Sequence, residues 1–194
     1  MMDDVTGRIA RRVAALRAER GLSLEALAAR SGVSRSMISL VERAESSPTA
    51  AVLERLAAGL GVSLAALFEA APEAPRPVAR RAEQAVWRDP ESGYLRRNLS
   101  PSGFPSPVEL VEVEFPAGGR VTLEGGRREP ALHQQLWILD GALELTRGGK
   151  TERLEKGDCL AMEMAGPTVF HNPGRRPVRY VVAIAGEGPR AARR

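Results

Sequence analysis

From Val5 to Ala70 the apolar residues recur every three or four positions: Ile9, Val13 and Leu16, then Leu24 and Leu27, then Ile38 and Val41, then Leu53, Leu56 and Leu60. That spacing gives each segment a single apolar stripe at the α-helical period. Ser23, Ser34, Thr49 and Ser63 each stand immediately before such a run, where a side-chain oxygen can accept from the free N–H groups of a first helical turn. With Val5 to Arg20 as the first, the pattern predicts five short helices. Between the second and third lies Ser31-Gly32-Val33. Gly32 can take the left-handed conformation, so the chain turns within three residues and the two helices must cross steeply.

The pattern changes near residue 72. The stretch A-P-E-A-P-R-P-V-A-R-R-A-E-Q has three prolines within six residues and no periodic apolar face, which predicts a semi-rigid extended linker over 71–86. From Val108 onward the period is two, in V-E-L-V-E-V-E-F, in L-W-I-L-D-G-A-L-E-L and in V-R-Y-V-V-A-I-A, with Gly or Pro breaks between the runs. Short alternating strands with regular breaks predict an all-β sandwich or barrel over 87–188. The polar end, 189–194, is expected to fray. The fold class is therefore α + β in two domains, with the helical domain at 1–70.

Composition narrows the function classes. The 194 residues are 43% apolar and 27% charged, as in an ordinary globular protein. No apolar run approaches the roughly 20 residues of a membrane span, and the N-terminal M-M-D-D carries acids where a signal peptide carries its basic end. A cytoplasmic protein is expected. The single cysteine, Cys159, excludes an internal disulfide and a multi-cysteine zinc site; at a strand start it reads as a small packed residue. The net charge of +4 comes almost wholly from arginine, since Lys150 and Lys156 are the only lysines. Arginine offers a planar fork for guanine edges and phosphates, and a GC-rich genome would produce the same bias.

The segment L-S-L-E-A-L-A-A-R-S-G-V-S-R-S-M-I-S-L-V-E-R closely resembles the helix-turn-helix of the lambda-repressor-like (xenobiotic response element type) regulators, with small Ala28 at the helix contact, Gly32 in the turn, and Ile38 and Val41 buried. The following S-S-P-T-A-A-V-L-E-R-L-A-A-G-L-G-V-S-L-A-A-L-F is similar to that family's fourth and fifth helices, so the resemblance spans about residues 5 to 70. It implies that the third helix enters the major groove of an operator. With Ser34, Ile38, Val41 and Glu45 placed inward at about 100° per residue, Ser36, Ser39, Leu40 and Arg43 point away, and Arg35 flanks them. Arg35 is the candidate for a bidentate guanine contact, Ser36 and Ser39 for base edges, and Leu40 for a thymine methyl. Arg35 and Arg43 can equally serve phosphates. Ser23, Ser34 and Thr49 are candidate phosphate contacts at helix N-termini, although capping alone explains them. By the same resemblance Glu42 pairs with Arg17 in a structural role.

The β half resembles a cupin, a double-layered barrel of roughly six to eight strands. The likeness rests on L-W-I-L-D-G-A-L-E-L, ending the first cupin motif at Gly141, and on L-E-K-G-D-C-L-A-M-E-M-A-G-P-T-V-F-H-N, the second, from Gly157 to Asn172. Catalytic cupins hold a divalent metal with two or three His and a Glu. Here the motif's Glu falls on Gln134, the remaining His on Thr168, and the other His positions on the His-free region 127–130. No metal, cofactor or catalytic residue is expected. His133 and His171, the only histidines, fall by alternation on the opposite face, unless a β-bulge turns them inward. A metal-free barrel can still bind a small effector in its mouth, and Gln134, Trp137, Met162, Thr168 and Tyr180 are the candidate lining. The expectation is a homodimeric transcriptional regulator that binds double-stranded operator DNA and senses a metabolite. Two alternatives stay open: a metal-dependent enzyme of the fosfomycin-epoxidase type, and a DNA-binding protein whose barrel only dimerises.

Overall fold

The structure, a computed structural model, describes residues 5–69, 76–125 and 131–186. The start of the expected linker, 71–75, and the tail at 189–194 lie outside the described residues. Among the described residues four α-helices form under the apolar stripes: α1 (Val5–Glu19), α2 (Leu24–Ser31), α3 (Arg35–Glu42) and α4 (Ala50–Leu60). The caps act as the sequence requires. Ser23 Oγ accepts from the Ala26 N–H at 3.1 Å, Ser34 Oγ from Met37 at 3.2 Å and Thr49 Oγ1 from Val52 at 3.4 Å. Gly32 ends α2 in the left-handed region, at φ 66°.

The expected fifth helix is not α-helical. Ser63 Oγ accepts from the Ala66 N–H at 3.0 Å, but the chain then makes a single 3₁₀ turn, Ala65–Phe68, before it extends at Glu69. Four residues are too few to sustain the i→i+4 ladder. Ala28, expected at a helix contact, is partly buried against the core, and a second close approach was not foreseen. At Gly59 of α4 a Cβ would meet Ser31 Cβ of α2 at 2.8 Å, so these two helices approach this closely only because Gly59 has no side chain.

Among the described residues the β domain has ten antiparallel strands, more than the six to eight expected. They are β1 (Val86–Arg88), β2 (Leu95–Asn98), β3 (Val108–Phe115), β4 (Arg120–Leu123), β5 (Leu132–Asp140), β6 (Ala142–Arg147), β7 (Lys150–Glu155), β8 (Cys159–Glu163), β9 (Thr168–His171) and β10 (Val178–Gly186). One sheet runs β1-β2-β3-β10-β5-β8 and the other β4-β9-β6-β7. Alternation sends Val111, Val113 and Phe115 of β3, Leu136 and Ile138 of β5, Leu143 and Leu145 of β6, and Tyr180, Val182 and Ile184 of β10 into the space between the sheets. The resulting two-layered barrel is cupin-like.

Besides the linker, the two domains share a packed joint. Phe68 of the 3₁₀ turn packs on Trp87 of β1 at a ring separation of 5.6 Å, Trp87 stands edge-on to Tyr94 at 5.8 Å, and Tyr94 lies 5.7 Å from Phe115. This aromatic chain runs from the helical domain into the barrel core. Asp89 of the barrel, buried at the first turn of α4, accepts from the Ala50 N–H at 2.9 Å and so caps that helix beside Thr49. Ser63 donates to the Glu109 carboxylate, and Asn98 Nδ2 donates to the Ala65 carbonyl at 3.1 Å.

Candidate nucleic-acid interface and barrel chamber

The third helix buries Ile38 and Val41 and turns its opposite side to solvent. Arg35 and Ser36 are exposed, Ser39 and Leu40 half-exposed. Ser34 and Glu45, expected on the inward side, are exposed, because Ser34 is the N-cap and α3 already ends at Glu42. Arg43 is therefore the C-cap residue rather than a residue of the helix body, and Ala44 beside it has φ 57°.

The charges of this face are tied to near neighbours. Arg35 Nε lies 2.6 Å from Glu25 Oε1. Arg43 donates from Nε and Nη2 to both oxygens of Glu45 at 2.9 and 2.8 Å, and from Nη1 to Ser39 Oγ at 2.7 Å. This fork raises the Arg43 pKa and lowers that of Glu45. Exposed pairs of this kind exchange partners at little cost, so both guanidiniums can be handed to a phosphate or base edge. The pair beneath them is of another sort. Arg17 Nε and Nη2 donate to the two oxygens of Glu42 at 2.7 and 2.8 Å, and Nη1 donates to the Leu22 carbonyl at 2.9 Å. Mostly shielded from water, it fixes α1 to α3.

A second candidate site lies in the barrel, in a chamber of about 50 Å³. Gln134, Thr168 and Tyr180 line it, as alternation along β5, β9 and β10 directs. Trp137 does not: it sits three residues from Gln134 on β5, points to the opposite face and is 53% exposed. Met162 is buried on the inward side of β8 but does not reach the chamber, whose methionine is Met164. Residues not anticipated complete the wall, namely Tyr94 and Arg96 from the β2 region and, from the helical domain, Glu54 and Leu64. Burial pushes the Tyr94 and Tyr180 phenols far above their ordinary pKa, so both remain protonated hydroxyls. Arg96 lies over the Phe68 ring, 5.7 Å from its centroid.

Gln134 and Thr168, which the resemblance to the cupin motifs sets where metal ligands would stand, both line the chamber. An amide and a hydroxyl are poor ligands for zinc or iron, and among the described residues no cluster of three or more His, Cys, Asp or Glu can hold an ion. The donor set does not fit a catalytic metal. His133 is exposed on the outer face of β5. His171 alternates with the chamber-lining Thr168 and Phe170, and its Nδ1 lies 3.1 Å from Glu144 Oε2. Cys159, expected to be packed, is exposed.

Residues 13–67 match the helix-turn-helix family HTH_3. The N-terminal domain is a helix-turn-helix domain. Beyond it, the chain is 28% identical over 165 residues to the HTH-type transcriptional regulator SutR of Escherichia coli K12, covering 85% of this chain and 87% of that protein. A crystal structure of an HTH_3 family transcriptional regulator from Vibrio cholerae superposes over 95% of this chain and 97% of its own, with TM-score 0.76 at 24% identity. The shared fold therefore extends through both domains. Hydroxypropylphosphonic acid epoxidase from S. wedmorenis also aligns, over 93% of this chain and 97% of its own, at TM-score 0.47 and 18% identity. In the helix-turn-helix domain α2 and α3 are the paired helices and Gly32 the turn between them, which makes the outward side of α3 the candidate reading face. Among the described residues no helix is long and apolar enough to cross a membrane.

Proposed function

We propose that the chain is a sequence-specific transcriptional regulator of the cytoplasm, which reads an operator with α3 and is controlled by a small molecule in the barrel. The observation that carries this reading is the helix-turn-helix domain's outward α3 surface. Arg35, Ser36, Ser39 and Leu40 stand there, with Arg43 at its edge, above a sealed core. Arg35 near the helix start is placed for a guanine edge, the serines for mixed base edges and Leu40 for a thymine methyl. Arg43, beyond the helix end, serves a phosphate. Ser23, Ser34 and Thr49 spend their oxygens on caps, and their hydroxyls can still donate to phosphate oxygens at those N-termini.

One such face spans few base pairs, so the protein works as a homodimer on an inverted repeat with half-sites about one helical turn apart. The outer face of the six-stranded sheet supports the pairing. Trp137, Leu110 and Val108 are exposed there among Val181, Ala183 and Ala185, and a second copy would cover this apolar surface. Selection from a random duplex library tests the whole reading. It should enrich a two-fold sequence, bound by two chains. Binding that ignores sequence, or recovery of an enzymatic activity with stoichiometric iron, would overturn it.

A further inference from the structure

The barrel chamber contains a cation with two donors unused. Arg96 is 6% exposed and lines the chamber, and its Nε and Nη2 have no hydrogen-bond partner. These two nitrogens form one edge of the guanidinium plane, the edge that grips a carboxylate through two parallel N–H···O bonds. A purely packing role does not account for it, because burying unpaired charged donors costs stability and an apolar side chain would fill the space without that penalty. Its Cζ lies over the Phe68 ring, 5.7 Å from the centroid, within cation–π range.

The rest of the wall defines the partner of that edge. Tyr94, Tyr180, Thr168 and Gln134 supply neutral polar groups, and Val113, Val121, Leu123, Phe170, Val182 and Ile184 supply apolar surface. Among the described lining residues Arg96 is the one base, and its one unpaired edge, Nε with Nη2, accommodates a single carboxylate. A volume of about 50 Å³, less than two waters occupy in the liquid, limits the acid to roughly one or two carbons. We propose that the chamber is a receptor site for a small monocarboxylic acid, its carboxylate held side-on by Nε and Nη2 of Arg96. The proposal deepens, and rests on, the reading of the barrel as the sensor.

The chamber also explains how occupancy reaches the reading head. Part of its wall belongs to the helix-turn-helix domain: Glu54, 2% exposed, stands on α4, and Leu64 lies just beyond that helix. An entering carboxylate shares the chamber with Glu54, a second carboxylate, and at such short range the two repel. The acid therefore binds more tightly to the arrangement in which α4 has withdrawn Glu54. That difference in affinity is what allows a ligand to shift an equilibrium. Because Gly59 locks α4 onto α2, a loosened α4 moves the reading pair.

The test is calorimetric titration of the full chain, at constant ionic strength, with formate, acetate and, as the oversized acid, propionate, and with acetamide and sulfate as controls. At least one acid should bind tenfold or more tighter than both controls. Arg96→Met should lose that binding yet unfold at the same or a higher temperature without ligand. Glu54→Gln should bind the acid about 3- to 10-fold tighter. The receptor site is overturned if no acid binds, if a control binds as well, or if Arg96→Met unfolds several degrees lower, which would make Arg96 structural. The coupling is overturned if Glu54→Gln leaves acid affinity unchanged, or if saturating acid leaves the isotherm on a selected operator unmoved. Acid binding in a chain that binds no duplex DNA specifically would instead sink the regulator reading and leave the receptor site standing.

Discussion

Arg35 and Arg43 on the reading face and Arg96 in the chamber are the same side chain in opposite circumstances. On the reading face the guanidiniums are more than half exposed and rest on Glu25 and Glu45, partners that water and salt can replace. In the barrel the guanidinium is sealed, and two of its donors find no partner. A surface charge is kept available by a weak local pair, whereas a buried one is kept available at the expense of stability. Functional sites persist on either side of that line, and a charge's availability must be judged from its surroundings rather than from its type.

The joint between the helical domain and the barrel is where this contrast can be disturbed most severely. Gly59→Val forces a side chain into Ser31 and should cost roughly 3 kcal/mol in chemical denaturation, together with most DNA binding, because α2 and α4 can no longer meet. A variant of unchanged stability would mean that the helices yield. Asp89→Ala removes the barrel's cap on α4 and the acceptor for the Ser92 N–H, for about 2 kcal/mol. Its informative readout is hydrogen exchange, which should quicken across α4 while the central strands β3 and β10 stay protected. Equal exchange in both domains would show that Asp89 does not hold the joint. Trp137→Glu places a charge on the outer sheet face and should weaken self-association at least tenfold in sedimentation, about 1.4 kcal/mol, with thermal stability little changed. Dimers of wild-type affinity would place the interface elsewhere.

Much of this was legible in the sequence because local chemistry decides it. Ser23, Ser34 and Thr49 announce their helices since a cap is a one-residue signal next to an apolar run, and Gly32 announces the turn. Ser63 announces a cap equally well, but not that only a 3₁₀ turn would come after it, since helix length depends on where the chain must go next. The chamber was half legible. Gln134, Thr168 and Tyr180 lie at inward positions, while Trp137 could not share a face with Gln134 under strict alternation, and its size drew attention that its parity should have refused. Arg96 was missed because Leu95-Arg96-Arg97-Asn98 reads as a solvated basic strand. The available signal was parity with aromatic Tyr94 two residues earlier. Glu54 carried no signal at all, because its role arises from the docking of one domain on another.

The mildest substitutions are also the most specific. Arg35→Ala should cost about 1 to 3 kcal/mol and relax preference at one base pair. Arg43→Ala should leave base preference intact and lower the salt slope of DNA binding by about one. The direct test of DNA reading by α3 is therefore fluorescence anisotropy of the wild type and these two variants on a selected operator and on its single-base variants, across a range of salt. Arg35→Ala should lose discrimination at one position, and Arg43→Ala should lose salt dependence while discriminating as the wild type does. Two variants with wild-type affinity, preference and slope would refute reading by α3, and would put a different surface of the domain on the DNA.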